Sequence, residues 1–132
     1  MSGICGIFDL DSKPVAQREL QAMTGMLERR GPEHTGHWLG GPLALGHCLL
    51  RNAPESKQEQ QPMILGEPGC SSQVVVADVR LDNREELAEL LRLDEQRLHT
   101  TSDAELVAHA CRQWKKKTPQ YLLGDFAFAA WD

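Results

Sequence analysis

The sequence predicts a mixed domain of the α+β class, and three stretches carry that prediction. Gln73 to Val79 is rich in β-branched residues, and its unbroken Val74-Val75-Val76 run fits a central strand buried on both faces. Between Gln17 and Arg29 the apolar residues Leu20, Met23, Met26 and Leu27 recur at helical spacing and form one stripe. Ser102 and Glu105 make a Ser-x-x-Glu capping box that opens a helix from Asp103 to about Trp114. Strand and helix signals alternate irregularly, so periodicity alone gives a mixed architecture.

Taken in order, Ile4 to Leu10 reads as a buried strand closed by the turn residues of Asp9–Pro14. The helix that follows is stopped by Gly31-Pro32. A polar loop runs to Trp38, Gly40-Gly41-Pro42 forms a turn, and a strand extends from Leu43 to about Arg51. Ala53 to Gln61 reads as a loop, Met63–Leu65 as a short strand, and Gly66 to Ser72 as a turn. After the Gln73–Val79 strand, Asn83 to Leu91 is a helix with Leu87, Leu90 and Leu91 inward. Lys115-Lys116-Lys117 closes the last helix, where cations favour its negative pole, and Phe126 to Trp131 is the final strand.

With 132 residues the chain is long enough for one domain with a sizeable core. Its 14 basic and 19 acidic residues leave a net charge of −5, which argues against nucleic acid or an anionic membrane as partner. No run approaches the ~20 apolar residues of a membrane span, and no signal-peptide pattern opens the chain. The cysteines Cys5, Cys48, Cys70 and Cys111 lie far apart without a Cys-x-x-Cys pair, so neither a zinc knuckle nor a disulfide framework is indicated. His34 and His37 lack the companions of a zinc site, and a reducing, cytoplasmic location is expected.

The chemistry is concentrated at the chain start. Cys5-Gly6-Ile7-Phe8 reads as an N-terminal nucleophile mounted on a strand, where the cysteine's own α-amine activates its thiol. Such an amine, with a pKa of about 7.7–8.0, is partly neutral at physiological pH. Four residues precede Cys5, so this role requires their removal. Loss of Met1 alone exposes Ser2, and Ser2-Gly3-Ile4 would then offer a serine nucleophile; Phe8 and the strand signal favour Cys5.

Several stretches accompany Cys5-Gly6-Ile7-Phe8 in a fixed order. They are Arg30-Gly31-Pro32-Glu33 to Gly36-His37-Trp38, Leu45-Gly46-His47, Gln61-Pro62-Met63, Asp82-Asn83-Arg84-Glu85-Glu86-Leu87, Thr101-Ser102-Asp103-Ala104-Glu105, and Gly124-Asp125-Phe126 to Trp131-Asp132. Together they resemble the class II glutamine amidotransferase domain of the asparagine synthetase family, across essentially the whole chain. The resemblance implies a four-layer α-β-β-α sandwich of the N-terminal-nucleophile hydrolase type, with the nucleophile at the start of a central strand. It also implies that residues 1–132 are one such domain, cut short at its C-terminal end, with the ATP-dependent synthetase domain absent. ATP and magnesium would belong only to that missing domain, with no cofactor here. Glutamine and an attached or partner synthetase domain are the implied partners, and a homodimer is compatible.

By the same resemblance Cys5 attacks the glutamine amide to form a thioester, ammonia leaves, and water releases glutamate. Asp78-Val79 falls on the family's oxyanion-hole Asn-Gly pair. Val79 keeps its backbone N–H, but a carboxylate replaces the amide donor, and losing one such donor costs about 2.7–4 kcal/mol in barrier. Asp103 falls on the aspartate that binds the substrate ammonium. The substrate-carboxylate arginine falls on Leu49, which offers no guanidinium fork, so Arg51 is the available substitute. Arg30 falls in the family's Arg-Gly-Pro-Asp turn and would pair with an acid near the site. His47 reads as a satisfied core histidine. These departures bring the chain closer to asparagine synthetase-like proteins such as lasso-peptide cyclases, and they leave open a degenerate domain that supports amide formation without hydrolysing glutamine.

Overall fold

The computed structural model describes residues 2–51, 53–66 and 72–132. Two antiparallel three-stranded sheets pack face to face. The first has the order β1 (Gly3–Phe8), β3 (Leu43–Leu49), β2 (His34–Gly40), and the second β4 (Met63–Leu65), β5 (Gln73–Leu81), β6 (Gly124–Trp131). Helix α1 (Gln17–Leu27) covers the outer face of the first sheet. Helices α2 (Arg84–Leu90) and α4 (Asp103–Trp114) lie over the second, and α3 (Glu95–Leu98) is a single turn between them. The layers therefore run α-β-β-α. No helix among the described residues is long and apolar enough to cross a membrane.

Strand alternation sorts every side chain in this sandwich. On β5, Val74 and Val76 meet Leu43, Leu45, Ile4 and Trp38 between the sheets, whereas Val75 and Leu81 pack with Leu87, Leu106, Val107 and Cys111 under the helices. The Val74-Val75-Val76 run is buried on both faces, as its composition predicts. On β3 all seven residues are buried, with His47 in the layer between the sheets and Cys48 turned toward α1. Burial pushes the His47 imidazole down to about 4, the Ala77 backbone offsetting part of that and the neighbouring His34 adding to it. Among the described residues neither ring nitrogen has a partner of hydrogen-bond geometry, so this core histidine is not satisfied as expected.

Several elements depart from expectation. β2 occupies the stretch read as a polar loop, because its pairing comes wholly from register with β3, His34 opposite Leu49 through Gly40 opposite Leu43. Its two glycines and polar residues carry little strand propensity of their own. Residues 54–58, read as loop, form a 3-10 turn. The stripe of α1 is Leu20 and Thr24, with Leu27 behind them, while Met26 faces solvent. Gly3 and Gly46 let α1 approach the sheet there, since a Cβ on either would press into Leu27 or Thr24. Leu90 is largely exposed, not inward. β1 is an edge strand of its sheet among the described residues, where a central strand was expected. The capping box is complete, with Glu105 N–H donating to Ser102 Oγ at 3.2 Å and Ser102 N–H to Glu105 Oε2 at 2.7 Å. The turn expected from Gly66 to Ser72 falls, at 67–71, outside the described residues.

Candidate active site

Alternation along β1 separates its two possible nucleophiles. Gly3, Cys5 and Ile7 face α1, and Ser2 and Ile4 face the second sheet. Cys5 Sγ sits beside Gly46, in the layer that holds Thr24 and Leu20. Burial raises the Cys5 thiol, Cys48 adds to the effect, and a Gly46 backbone hydrogen bond offsets part of it. A reactive cysteine needs the opposite shift.

Ser2 is buried and held at every polar atom. Its backbone N–H donates to Asp78 Oδ1 at 3.0 Å, its carbonyl accepts from Arg30 Nε at 3.3 Å, and its Oγ accepts from Leu50 N–H at 3.1 Å. Asp78 reaches Ser2 because it lies on the same face of β5 as Val74 and Val76. Arg30 reaches both, with its guanidinium 3.8 Å from Asp78 Oδ2. The turn that carries Arg30 passes so close under β3 that a Cβ on Gly31 would collide with the Cys48 carbonyl. That contact explains why glycine follows the arginine.

Beyond β4, the edge of β5 is finished by side chains instead of a strand. Gln61 sits where the β4 ladder would reach Ala77, and its amide replaces the missing backbone. Oε1 accepts from Ala77 N–H at 2.6 Å and Nε2 donates to the Ala77 carbonyl at 2.9 Å. Two rungs further, Leu81 N–H donates to Asp103 Oδ2 at 2.8 Å. Between these two occupied rungs, strand geometry aims the Val79 N–H toward the same edge. Ser2, Leu50, Ser56, Glu59, Ala77, Asp78, Val79 and Ala104 enclose a cavity of about 20 Å³ there. That volume suits about one water molecule and is far too small for an amino acid.

The structure thus gathers Asp78, Val79 and Arg30 and places Ser2 among them, while Cys5 lies on the opposite face of β1. Arg51 is also elsewhere: its N–H and guanidinium both bind the Glu33 carboxylate at 3.0 Å. Leu49 is fully buried. Asp103 stands at the rim with its second oxygen on the Arg84 guanidinium, which also donates to the Leu98 and Thr101 carbonyls. Glu59 is the residue that sequence reasoning missed. It lines the cavity and accepts from Gln61 Nε2 at 2.7 Å, and burial raises its carboxyl, the hydrogen bonds to Gln61 and Ser102 acting the other way. Its only signal in the sequence was its place two residues before Gln61.

Ser2 buried at the start of β1, the Val79 rung beside the same cavity and a helix-start aspartate at its rim, set between two facing sheets, fit the class of N-terminal-nucleophile amidotransferase sandwiches. Comparison with known proteins makes this specific. A family model described as a glutamine amidotransferase domain matches residues 1–132. Asparagine synthetase [glutamine-hydrolyzing] 3 of Bacillus subtilis is 30% identical over 133 residues, a match that takes in all of this chain and 21% of that protein. Glutamine phosphoribosylpyrophosphate amidotransferase from Bacillus subtilis, solved with ADP and GMP, superposes with a TM-score of 0.73 at 19% identity, over 99% of this chain and 35% of that one. The chain belongs to the glutamine amidotransferase domain family, in the class II group that asparagine synthetases share, and it spans about a fifth of the curated relative it matches.

Proposed function

We propose that this domain handles glutamine for an attached ATP-dependent, amide-forming domain of the asparagine synthetase type, and that Ser2 holds the nucleophile's position. The observation that carries the reading is the convergence on one cavity of Ser2, Asp78-Val79 and the start of α4. Cleavage of the peptide bond ahead of Ser2 would give the hydroxyl an α-amine on its own residue. Ser2 Oγ would then attack the glutamine side-chain carbonyl, passing its proton to that amine. The oxyanion would take the Val79 N–H, and collapse would expel ammonia carrying the same proton. Water would cleave the ester, returning the hydroxyl and releasing glutamate. Asp103 would meet the substrate ammonium after exchanging Arg84 for it. The cavity must widen for any of this to proceed. ATP and magnesium would be the business of the attached domain.

One observation favours a second reading, in which the domain supports its partner without hydrolysing glutamine. Asp78 puts a carboxylate on the Ser2 nitrogen, beside the place where negative charge would develop. The test is glutamate release from glutamine by the native protein, with Ser2→Ala and Cys5→Ala variants and the starting residue read by intact mass. Release lost in Ser2→Ala and kept in Cys5→Ala supports the first reading. Release that follows Cys5 overturns the placement of Ser2, and no release from a folded protein beginning at Ser2 selects the second.

A further inference from the structure

We propose that Asp78, braced by Arg30, is the positioning residue for the α-amine of Ser2: once that amine is free, Asp78 grips it as an ammonium in the closed cavity. The inference rests on Ser2 becoming the first residue, as in the reading above, and holds whether or not glutamine is hydrolysed. With a residue ahead of it, the Ser2 nitrogen is a peptide amide giving Asp78 its one N–H. Once freed, the same nitrogen carries a positive charge 3.0 Å from the Asp78 carboxylate oxygen.

An opposite charge at this range favours the charged form of an amine and shifts its titration upward by ~1–3 units. The charged groups facing Ser2 are Asp78 from β5, Glu59 from the segment after the 3-10 turn, and Arg30 from the turn after α1. Asp103 and Glu105 at the start of α4 add negative potential behind Glu59. Arg30 opposes the shift, donating to the Ser2 carbonyl and standing 3.8 Å from Asp78 Oδ2, and Arg84 pairs with Asp103. The Asp78 oxygen, nearest the nitrogen at 3.0 Å, therefore prevails. An ammonium has no lone pair with which to accept the Ser2 hydroxyl proton, so the grip that seats the residue also withholds its base.

Ser2 is further fixed through its carbonyl by Arg30 and through Oγ by Leu50 N–H. The hydroxyl is thus aligned while the amine is disarmed. The device is an autoinhibitory contact made by Ser2 once it has become the first residue. It would be released by whatever draws the Asp78 carboxylate toward Arg30 and away from the nitrogen.

The test uses periodate, which oxidises an N-terminal serine through its neutral amine, with the reaction followed by intact mass from about pH 6 to 10. The native protein, Asp78→Asn and Arg30→Lys are compared. The expected midpoint in the native protein lies a unit or more above the ordinary ~8, so oxidation at pH 7 is at least about tenfold slower than in Asp78→Asn. Arg30→Lys is expected to keep the native midpoint. Equal midpoints in the native protein and Asp78→Asn overturn the proposal. If Asp78→Asn does not fold, a native midpoint at or below ~8 overturns it alone, as does a mass showing that Ser2 is never the first residue. Absence of glutamate release in every variant would sink the glutaminase reading and leave these midpoints where they are.

Discussion

Ser2 and Cys5 sit three residues apart on one strand, yet one lies in the cleft and the other beneath a helix. Both begin an X-Gly-Ile triplet, and both are buried to some degree. What separates them is that three is odd. Ser2 meets Asp78, Arg30 and the open edge of β5, whereas Cys5 meets Gly46, Thr24 and Leu20. The polar side is crowded with hydrogen bonds of exact partnership, and the helix side is packed apolar contact that discourages a thiolate. Which of the two reaches the cleft is therefore set by the face it occupies more than by its element.

The contrast breaks most visibly with a glutamine-mimicking diazo-ketone. Native Cys5 should take no adduct, while Ser2→Cys, begun at residue 2, should go from none to one adduct per chain, mapped by peptide mass. An adduct on native Cys5 would reverse the assignment. Next in size, Gly31→Ala should destabilise the fold by about 3 kcal/mol in chemical denaturation, because backbone meets backbone at Cys48. A near-neutral result would mean that the Arg30 turn is not held against β3.

His47 tests the layer that Ser2 faces. Its folded pKa, lowered to about 4, lies below the unfolded value, so the unfolded chain binds the proton first as pH falls. Its contribution is complete above ~6.5 and is lost on descending toward 4, at a cost of roughly 2–3 kcal/mol. The raised Glu59 acts in the opposite sense, so the measurement is the difference between native protein and His47→Leu at pH 7 and pH 4.5. A difference independent of pH would contradict a neutral, buried ring. The smallest effect belongs to Cys5→Ala, about 1 kcal/mol from lost packing, with the chemistry of the cleft unchanged. A loss of glutamate release there would return Cys5 to the cleft.

Much of the framework was legible in residues. Val74-Val75-Val76 announced the central strand, and Ser102 with Glu105 the start of α4, because both signals are local. The ordered motifs located Asp78, Val79 and Arg30, which the fold assembles. The face of Ser2 was not legible, since Ser2-Gly3-Ile4 and Cys5-Gly6-Ile7 differ only in which side of the strand their first residue takes, and that is set by register with β3. β2 was missed for the same kind of reason: its stability is borrowed from a neighbour. Asp103 and Arg51 were recognised as charged groups, but their partners Arg84 and Glu33 are tertiary facts.

Gln61 carries a consequence beyond stability. By impersonating a strand with one side chain, it closes the hydrogen bonds of Ala77 and then stops, leaving the next rung without a strand partner on that edge among the described residues. Had β4 begun a few residues earlier, the sheet would be sturdier and the Val79 donor would be spent on carbonyl oxygen. The gap beside Val79 is thus made by ending a ladder early, and in the reading proposed above its width sets how much room a reacting oxygen has.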